Sequence, residues 1–463
     1  MRKKLLSTLI LLMPLTTIWA QDSKFESATE AVKNMAVGWN LGNTLDSNSG
    51  DTLNMWIEHW TNRTPSDYET AWGQPVTKAS LMKMFKDAGF NAIRVPVTWY
   101  PHMEAKFRFT SNDNSNWYPS RDDIGTKVNA AWMRRVKQVV DYVIDAGMYC
   151  ILNVHHDTGA ANTAWLVADE AVFEQQRERY EALWKQISEA FRDYDEHLLF
   201  ESYNEMLDVK DSWCFASFAA QNSYNATIAR SAYNGINSYA QTFVNTVRAT
   251  GGNNAQRNLV VNTYGACDGN GNWNSHLQDP LKEMKLPDDE VLNHLIFEVH
   301  SYPDIKNLSS AKSTLNTTIN HLKEHLVKKG APVIFGEWGT STDKAYEQYR
   351  SNMLSFYRYF IEQTKKAGMG TFHWMGLSDG NHRSVPEFNQ QDLVDAIIKG
   401  YYGENGYISG IESLTPVPSP KGEGSIYDLS GRKIPCLQGK DGNRLPKGIY
   451  IIDDRKVVVK YKK

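Results

Sequence analysis

Residues 136–155 read VKQVVDYVIDAGMYCILNVH. Val136, Val139, Val140, Val143 and Ile144 recur at the 3.6-residue spacing of one helix face. Gly147 follows as a residue able to close a helix in the left-handed conformation. The apolar run Met148–His155 then reads as a strand. Working outward, the same order of helix, glycine and strand returns. Ala79–Ala88 and Gly89 precede Ala92–Pro96, and Phe243-Val244-Val247 with Gly251 precede Leu259–Asn262. Five further runs have strand character: Val37–Leu41, Leu198–Asn204, Leu295–His300, Val333–Glu337 and Thr371–Trp374. Strand and helix alternating eight times predict an α/β chain folded as a (β/α)8 TIM barrel, over residues 21–408. Segments 47–70, 102–128, 206–235 and 264–290 follow strand ends, where inserted loops build the rim of a barrel's active face.

Composition narrows the function. A net charge of -3 gives no electrostatic case for nucleic acid or an anionic membrane. The 14 Trp and 23 Tyr lean toward sugar, because an aromatic face packs on the C–H face of a pyranose. Trp72, Trp99, Trp117 and Trp165 are candidate platforms, with core packing as the equal alternative for each.

Polar residues fall at the predicted strand ends: Arg94, His155, His156, Asn204, Glu205, His300, Tyr302, Glu337 and Trp374. Catalytic groups of a barrel project from these ends, and strands four and seven face each other across its mouth. Glu205 and Glu337 can therefore converge on one bond. Two facing carboxyls suit glycoside hydrolysis, one protonated to donate to the leaving oxygen and one ionised. Their separation decides between retention and inversion, and sequence does not fix it. Arg94 beside Glu337 would keep that group ionised. Asn204 has an amide suited to the sugar 2-hydroxyl, and His300 and Tyr302 are placed to orient the carboxyls. His155-His156-Asp157 has the makings of a metal cluster, but no further ligand spacing supports one, so no metal is expected.

Seven stretches resemble glycoside hydrolase family 5, the large cellulase family. They are Gly38-Trp39-Asn40-Leu41-Gly42-Asn43-Thr44-Leu45-Asp46, Gly89–Trp99, Asn153–Asp157, Asn204-Glu205, His300-Ser301-Tyr302, Phe335–Gly339 and Phe372–Gly380. The resemblance implies a retaining double displacement without a cofactor, with Glu205 as acid/base and Glu337 as nucleophile. Arg94, His155, Asn204, His300 and Tyr302 would form the active-centre shell, Trp374 a sugar platform, and Asn43 and His156 the substrate-side edge. The run Trp374-Met375-Gly376-Leu377-Ser378-Asp379-Gly380 departs from the commoner Trp-aspartate-asparagine-glycine ending. The opening motif, with Ala71-Trp72-Gly73-Gln74-Pro75, is similar to the endoglucanase branch. The implied substrates are cellulose, mixed-linkage β-glucan or xyloglucan. Mannan or xylan on the same barrel, or a non-catalytic sugar-binding surface protein, are the alternatives.

Arg2-Lys3-Lys4, the apolar Leu5–Leu15 and the small residues before Gln21 read as a signal peptide over residues 1–20. Export to the outside or the cell surface is expected. No other apolar run is long enough for a membrane span. Residues 409–424 contain Pro416, Pro418 and Pro420 and read as a linker. Residues 425–463 read as a small β-rich unit, with strands at Ser425–Leu429, Gly448–Ile452 and Lys456–Tyr461. It resembles the C-terminal sorting domains of Bacteroidetes secreted proteins, which implies engagement of outer-membrane secretion machinery. A monomer is expected. Of four cysteines, Cys150 reads as buried, and Cys214 and Cys267 are a candidate pair.

Overall fold

The computed structural model describes residues 25–50, 56–104, 124–159, 164–213, 224–341 and 346–404, with four short strands beyond residue 425. Residues 1–20, most of the 102–128 insert and the Pro-rich stretch lie outside the described residues. The chain divides into two compact units, Met1–Tyr407 and Ile408–Lys463.

The first unit is a closed parallel barrel of eight strands in sequential order. They are β1 (Gly38–Asn40), β2 (Ala92–Val95), β3 (Tyr149–Asn153), β4 (Leu198–Glu201), β5 (Leu259–Asn262), β6 (Leu295–Ser301), β7 (Val333–Trp338) and β8 (Gly370–His373). Each falls within or across one of the eight expected runs. The helices between them behave as their patterning predicts. Ala79–Ala88 buries Leu81, Met82 and Phe85 and ends at Gly89, whose φ of 110° lets its N–H reach back to Phe85.

The inserts carry helices of their own, Trp56–Trp60 and Pro65–Glu69 in the first and Asp279–Glu283 in the last. The 206–235 segment is not all loop, since a helix runs from Ala226 to Ala249. Asn225 starts it by accepting from the Thr227 and Ile228 N–H groups. Its buried stripe, from Ala232 and Ile236 to Phe243 and Val247, holds it against the barrel.

Side chains alternate across each strand. The outward set, including Ile93, Leu152, Phe200, Val261, Phe297 and Phe335, belongs to the large core shared with the helices. The inward set forms a second, smaller apolar cluster of Ala92, Ile151, Leu199, Val260, Ile296, Ile334 and Phe372. The helix Ala28–Met35 contributes Ala28, Val32 and Met35 to that cluster. Two residues further along the strands the inward positions turn polar: Arg94, Asn153, Glu201, Asn262 and Glu298. The barrel interior is therefore apolar below and polar above.

Strand β7 carries one extra residue. Between Phe335 and Glu337 it advances two steps while β6 advances one, and its pairing with β8 shifts in the same place. Such a bulge redirects the side chain beside it. Gly336 is the inserted residue, and a Cβ there would lie 1.6 Å from Glu298 Oε1.

The second unit has four short antiparallel strands, β9 (Ile426–Tyr427), β10 (Lys433–Ile434), β11 (Gly448–Ile452) and β12 (Arg455–Val459), in the order β10-β9-β11-β12.

Candidate active site

The polar upper layer is organised around Arg94, which is fully buried. Its Nε and Nη2 donate to the two Glu201 oxygens at 2.6 and 2.7 Å. Nη2 also donates to Asn204 Oδ1 at 2.8 Å. Nη1 donates to Asn40 Oδ1 at 3.0 Å and to Glu337 Oε1 at 2.8 Å. A guanidinium only donates, so it fixes the Asn204 amide with its oxygen inward and its NH2 turned the other way. Asn153 and Asn262 donate to the same Glu201 at 3.0 and 3.2 Å.

Glu337 and Glu205 meet above this layer. A carboxylate oxygen of each, and a ring nitrogen of His300, all lie within 4.8 Å of one another. Glu337 accepts from Arg94 on Oε1 and from the Tyr302 hydroxyl on Oε2 at 2.7 Å. Glu205 is bonded to His300 Nδ1 at 2.9 Å, and that nitrogen is 3.5 Å from Glu337 Oε2. Glu205 is the more open of the pair, its side chain 25% exposed against 6% for Glu337.

Their surroundings push the two acids apart. Burial lifts the Glu205 carboxyl above its ordinary value; His300 opposes this, and the Glu337 charge adds to it. Burial acts in the same sense on Glu337, but His300, Arg94 and the Tyr302 hydroxyl outweigh it and hold that carboxyl below its ordinary value. His300 follows the same logic in reverse. Burial disfavours the imidazolium, yet Glu337 and the bonds to Glu205 and Glu298 raise it to about 10.

The remaining candidates flank this pair. Asn153 donates from Nδ2 to His155 Nδ1 at 3.0 Å, which leaves the proton of the neutral imidazole on Nε2. That Nε2 lies 3.9 Å from Glu337 Oε1. Trp374 stacks parallel to the His155 ring with centroids 5.7 Å apart. His156 packs against Trp72 at 5.4 Å, with its Nε2 3.9 Å from Asp46 Oδ2. Asn43 is half-buried in a left-handed turn with φ 58°, its N–H held by Asp46. No hydrogen bond joins its side chain to the acid pair among the described residues.

Some groupings differ from the sequence reading. Asp157 is turned away from its histidine neighbours, accepting from Trp165 Nε1 at 2.7 Å and from the Trp99 N–H at 2.8 Å. Asp46 takes its place beside His155 and His156. Trp99 and Trp165 are fully buried and pack in the core, whereas Trp72 is part-buried and packs against His156. Trp117 lies outside the described residues. Cys267 is disulfide-bonded and Cys150 is a free buried thiol; Cys214 lies outside the described residues. Sequence reasoning passed over Asn40, Asn153, Glu201 and Glu298. The available signal was their position, two residues after Gly38, Ile151, Leu199 and Ile296, on the inward face of strands whose neighbours are apolar.

A cleft of about 520 Å³ opens beside Glu205 and His300. Trp213, Asp268, Tyr302 and Trp273 line it, and Trp273 is 63% exposed.

Residues 57–379 match the model of cellulase, glycosyl hydrolase family 5. The chain belongs to that family. This glycoside hydrolase is 32% identical to Endoglucanase B of Neocallimastix patriciarum, over 84% of its own length and 75% of the relative's. It is 30% identical to Endoglucanase A of Clostridium longisporum, over 82% and 67%. Among solved structures it superposes on a broad-specificity endoglucanase of the GH5-4 group from an uncultured bacterium. That match has a TM-score of 0.74 and 52% identity, and covers 83% of this chain and 98% of the other. A family 5 enzyme of Prevotella bryantii in complex with a xyloglucan tetradecasaccharide matches with a TM-score of 0.68 and 38% identity, covering 82% and 99%.

Proposed function

We propose that the chain is a secreted, retaining endo-β-1,4-glucanase, with Glu205 as acid/base and Glu337 as nucleophile. The observation that carries this reading is the approach of the two carboxyls, with oxygens within 4.8 Å. Retaining enzymes hold the pair about 5–5.5 Å apart, whereas inversion needs about 6.5–9.5 Å to admit a water. The opposed protonation of the two groups supports the same roles: the raised acid keeps a proton to give, and the lowered one stays ionised to attack.

In the first step a Glu337 oxygen bonds to the anomeric carbon while the C–O bond to the leaving sugar breaks. The Glu205 proton goes to the departing oxygen. In the second step Glu205, now ionised, takes a proton from water. The water oxygen bonds to the anomeric carbon and the ester to Glu337 breaks, restoring both groups. Two inversions give retention. Arg94 and Tyr302 hold Glu337 from below and from the side. The outward NH2 of Asn204 can donate to the sugar 2-hydroxyl, a bond that strengthens toward the oxocarbenium-like transition state. His155, His156, Asn43 and Trp374 would contact the glycone, with Trp374 as the stacking platform.

The cleft past Glu205 leaves space for sugars on the leaving side, as internal cleavage of a chain requires. The GH5-4 relative described as broad-specificity and the Prevotella enzyme bound to xyloglucan favour β-glucan backbones, plain or branched, over mannan or xylan. Residues 1–20 serve as the export signal in this reading, and the C-terminal unit engages secretion machinery. The test is a panel of carboxymethyl-cellulose, barley glucan, xyloglucan, mannan and xylan, with product anomers followed by NMR. Glu205→Gln and Glu337→Gln are expected to lose nearly all turnover while still binding oligosaccharide. Normal turnover by either variant, or an α-anomer as first product, ends the assignment. Deleting residues 411–463 should spare activity and impair export or attachment.

A further inference from the structure

Behind the acid pair lies a carboxyl that the double displacement does not use. Glu298 is fully buried on β6, two residues before His300. Its Oε1 is 3.2 Å from His300 Nε2 and 3.3 Å from Arg94 Nε. Its Oε2 has no hydrogen-bond partner among the described residues. The carboxyl fills the gap left by the missing Gly336 side chain on the β7 bulge. The charged groups around it are Arg94 from β2, Glu201 from β4, His300 from β6 and, across Arg94, Glu337 from β7. Asn262, its β5 neighbour in register, carries no charge.

We propose that Glu298 is a positioning residue for the acid/base: by accepting from His300 Nε2 it commits the other ring nitrogen, Nδ1, to Glu205. This rests on the role proposed above for Glu205. An imidazole whose Nε2 is protonated and engaged has two useful states. As the imidazolium it donates from Nδ1 to ionised Glu205; as the neutral ring it accepts there from protonated Glu205. Glu205 must pass through both states in each turnover, so one fixed ring serves both half-reactions. The third group of a hydrolase triad holds its histidine in the same way. Burial, with the charge of Glu201, raises the Glu298 carboxyl to about 8. The accepting role of Oε1 does not depend on that proton, because the proton belongs on the unpartnered Oε2.

The test compares Glu298→Leu, which removes the acceptor, with Glu298→Gln, which keeps an oxygen facing Arg94 and His300. Without an acceptor at Nε2 the imidazolium loses support, so it promotes ionisation of Glu205 less. The alkaline limb of the kcat/KM profile is then expected to move up by about one pH unit. The kcat value should fall with KM nearly unchanged, and the Gln variant should stay close to the parent. Nitrogen-15 NMR of the His300 ring reads the same point in the unsubstituted protein. Nε2 should carry a proton from pH 5 to pH 8. A folded Leu variant with the parent limb, a Gln variant displaced as far as Leu, or an unprotonated Nε2 in the parent protein each overturns the proposal. The NMR result decides it even if the Leu variant does not fold. Parent protein that turns over β-glucan but fails these measurements would count against Glu298 alone.

Discussion

Removing the Tyr302 hydroxyl should move the acid limb of activity to higher pH. That hydroxyl donates to Glu337 Oε2 at 2.7 Å, on the side of the carboxylate opposite Arg94. A hydrogen bond to a charged acceptor is worth about 1.5–3 kcal/mol, and each pKa unit corresponds to about 1.4 kcal/mol. The full bond would thus lower Glu337 by about one to two units. Tyr302 is 37% exposed, so water takes over part of the role in Tyr302→Phe, and the lower end applies. The sign follows from the folded protein holding Glu337 below its ordinary value. Losing a donor to the anion raises that value, so the acid limb rises by about one pH unit. Arg94 stays bonded and His300 stays at 3.5 Å, so ionisation is delayed and not abolished. The assay is kcat/KM from pH 3 to pH 9 on an aryl β-cellobioside, for parent and Tyr302→Phe, with melting curves to confirm folding. An unmoved acid limb in a folded variant would refute the claim that this hydroxyl supports the nucleophile.

Other consequences can be checked separately. Gly336→Ala places a Cβ 1.6 Å from Glu298 Oε1 and dislodges a buried carboxyl from its cations. It should cost about 3 kcal/mol or more in denaturant unfolding. Arg257, fully buried, donates to the carbonyls of Asp195, Leu198, Phe191 and Tyr194. Arg257→Leu strands those oxygens and should destabilise by about 3–5 kcal/mol, with specific activity of the folded enzyme unchanged at 25 °C. Trp273→Ala should raise KM for long cello-oligosaccharides by about fivefold, the value of one stacking contact of about 1 kcal/mol. The same variant should hydrolyse an aryl β-cellobioside at the parent rate.

The barrel was legible because each strand has its own apolar run, and several are also preceded by the glycine that closes the helix before them. Gly89 and Gly147 each precede a strand by two or three residues. The two principal acids were legible because Glu205 closely follows strand four and Glu337 lies at the end of strand seven. What escaped was the layer beneath them. Glu201 and Glu298 sit inside apolar runs, where a carboxylate reads as an interruption until the pleat shows which face it takes. Arg94 makes that burial tolerable, since one guanidinium meets three carboxyls at 3.3 Å or less. The partners of His156 were equally out of reach. Neighbouring residues alternate direction, so Asp157 turns to Trp99 and Trp165, while Asp46, more than a hundred residues earlier, arrives from the loop after β1.

The additional residue in β7 has a mechanical consequence. A closed ring of strands has no free border along which such an offset could escape. Sliding β7 by one step to erase it would unzip its bonds to β6 and to β8 together. The fault is pinned, much as a dislocation is trapped in a small crystal, and the heading of Glu337 is set by ring closure as well as by its own torsions.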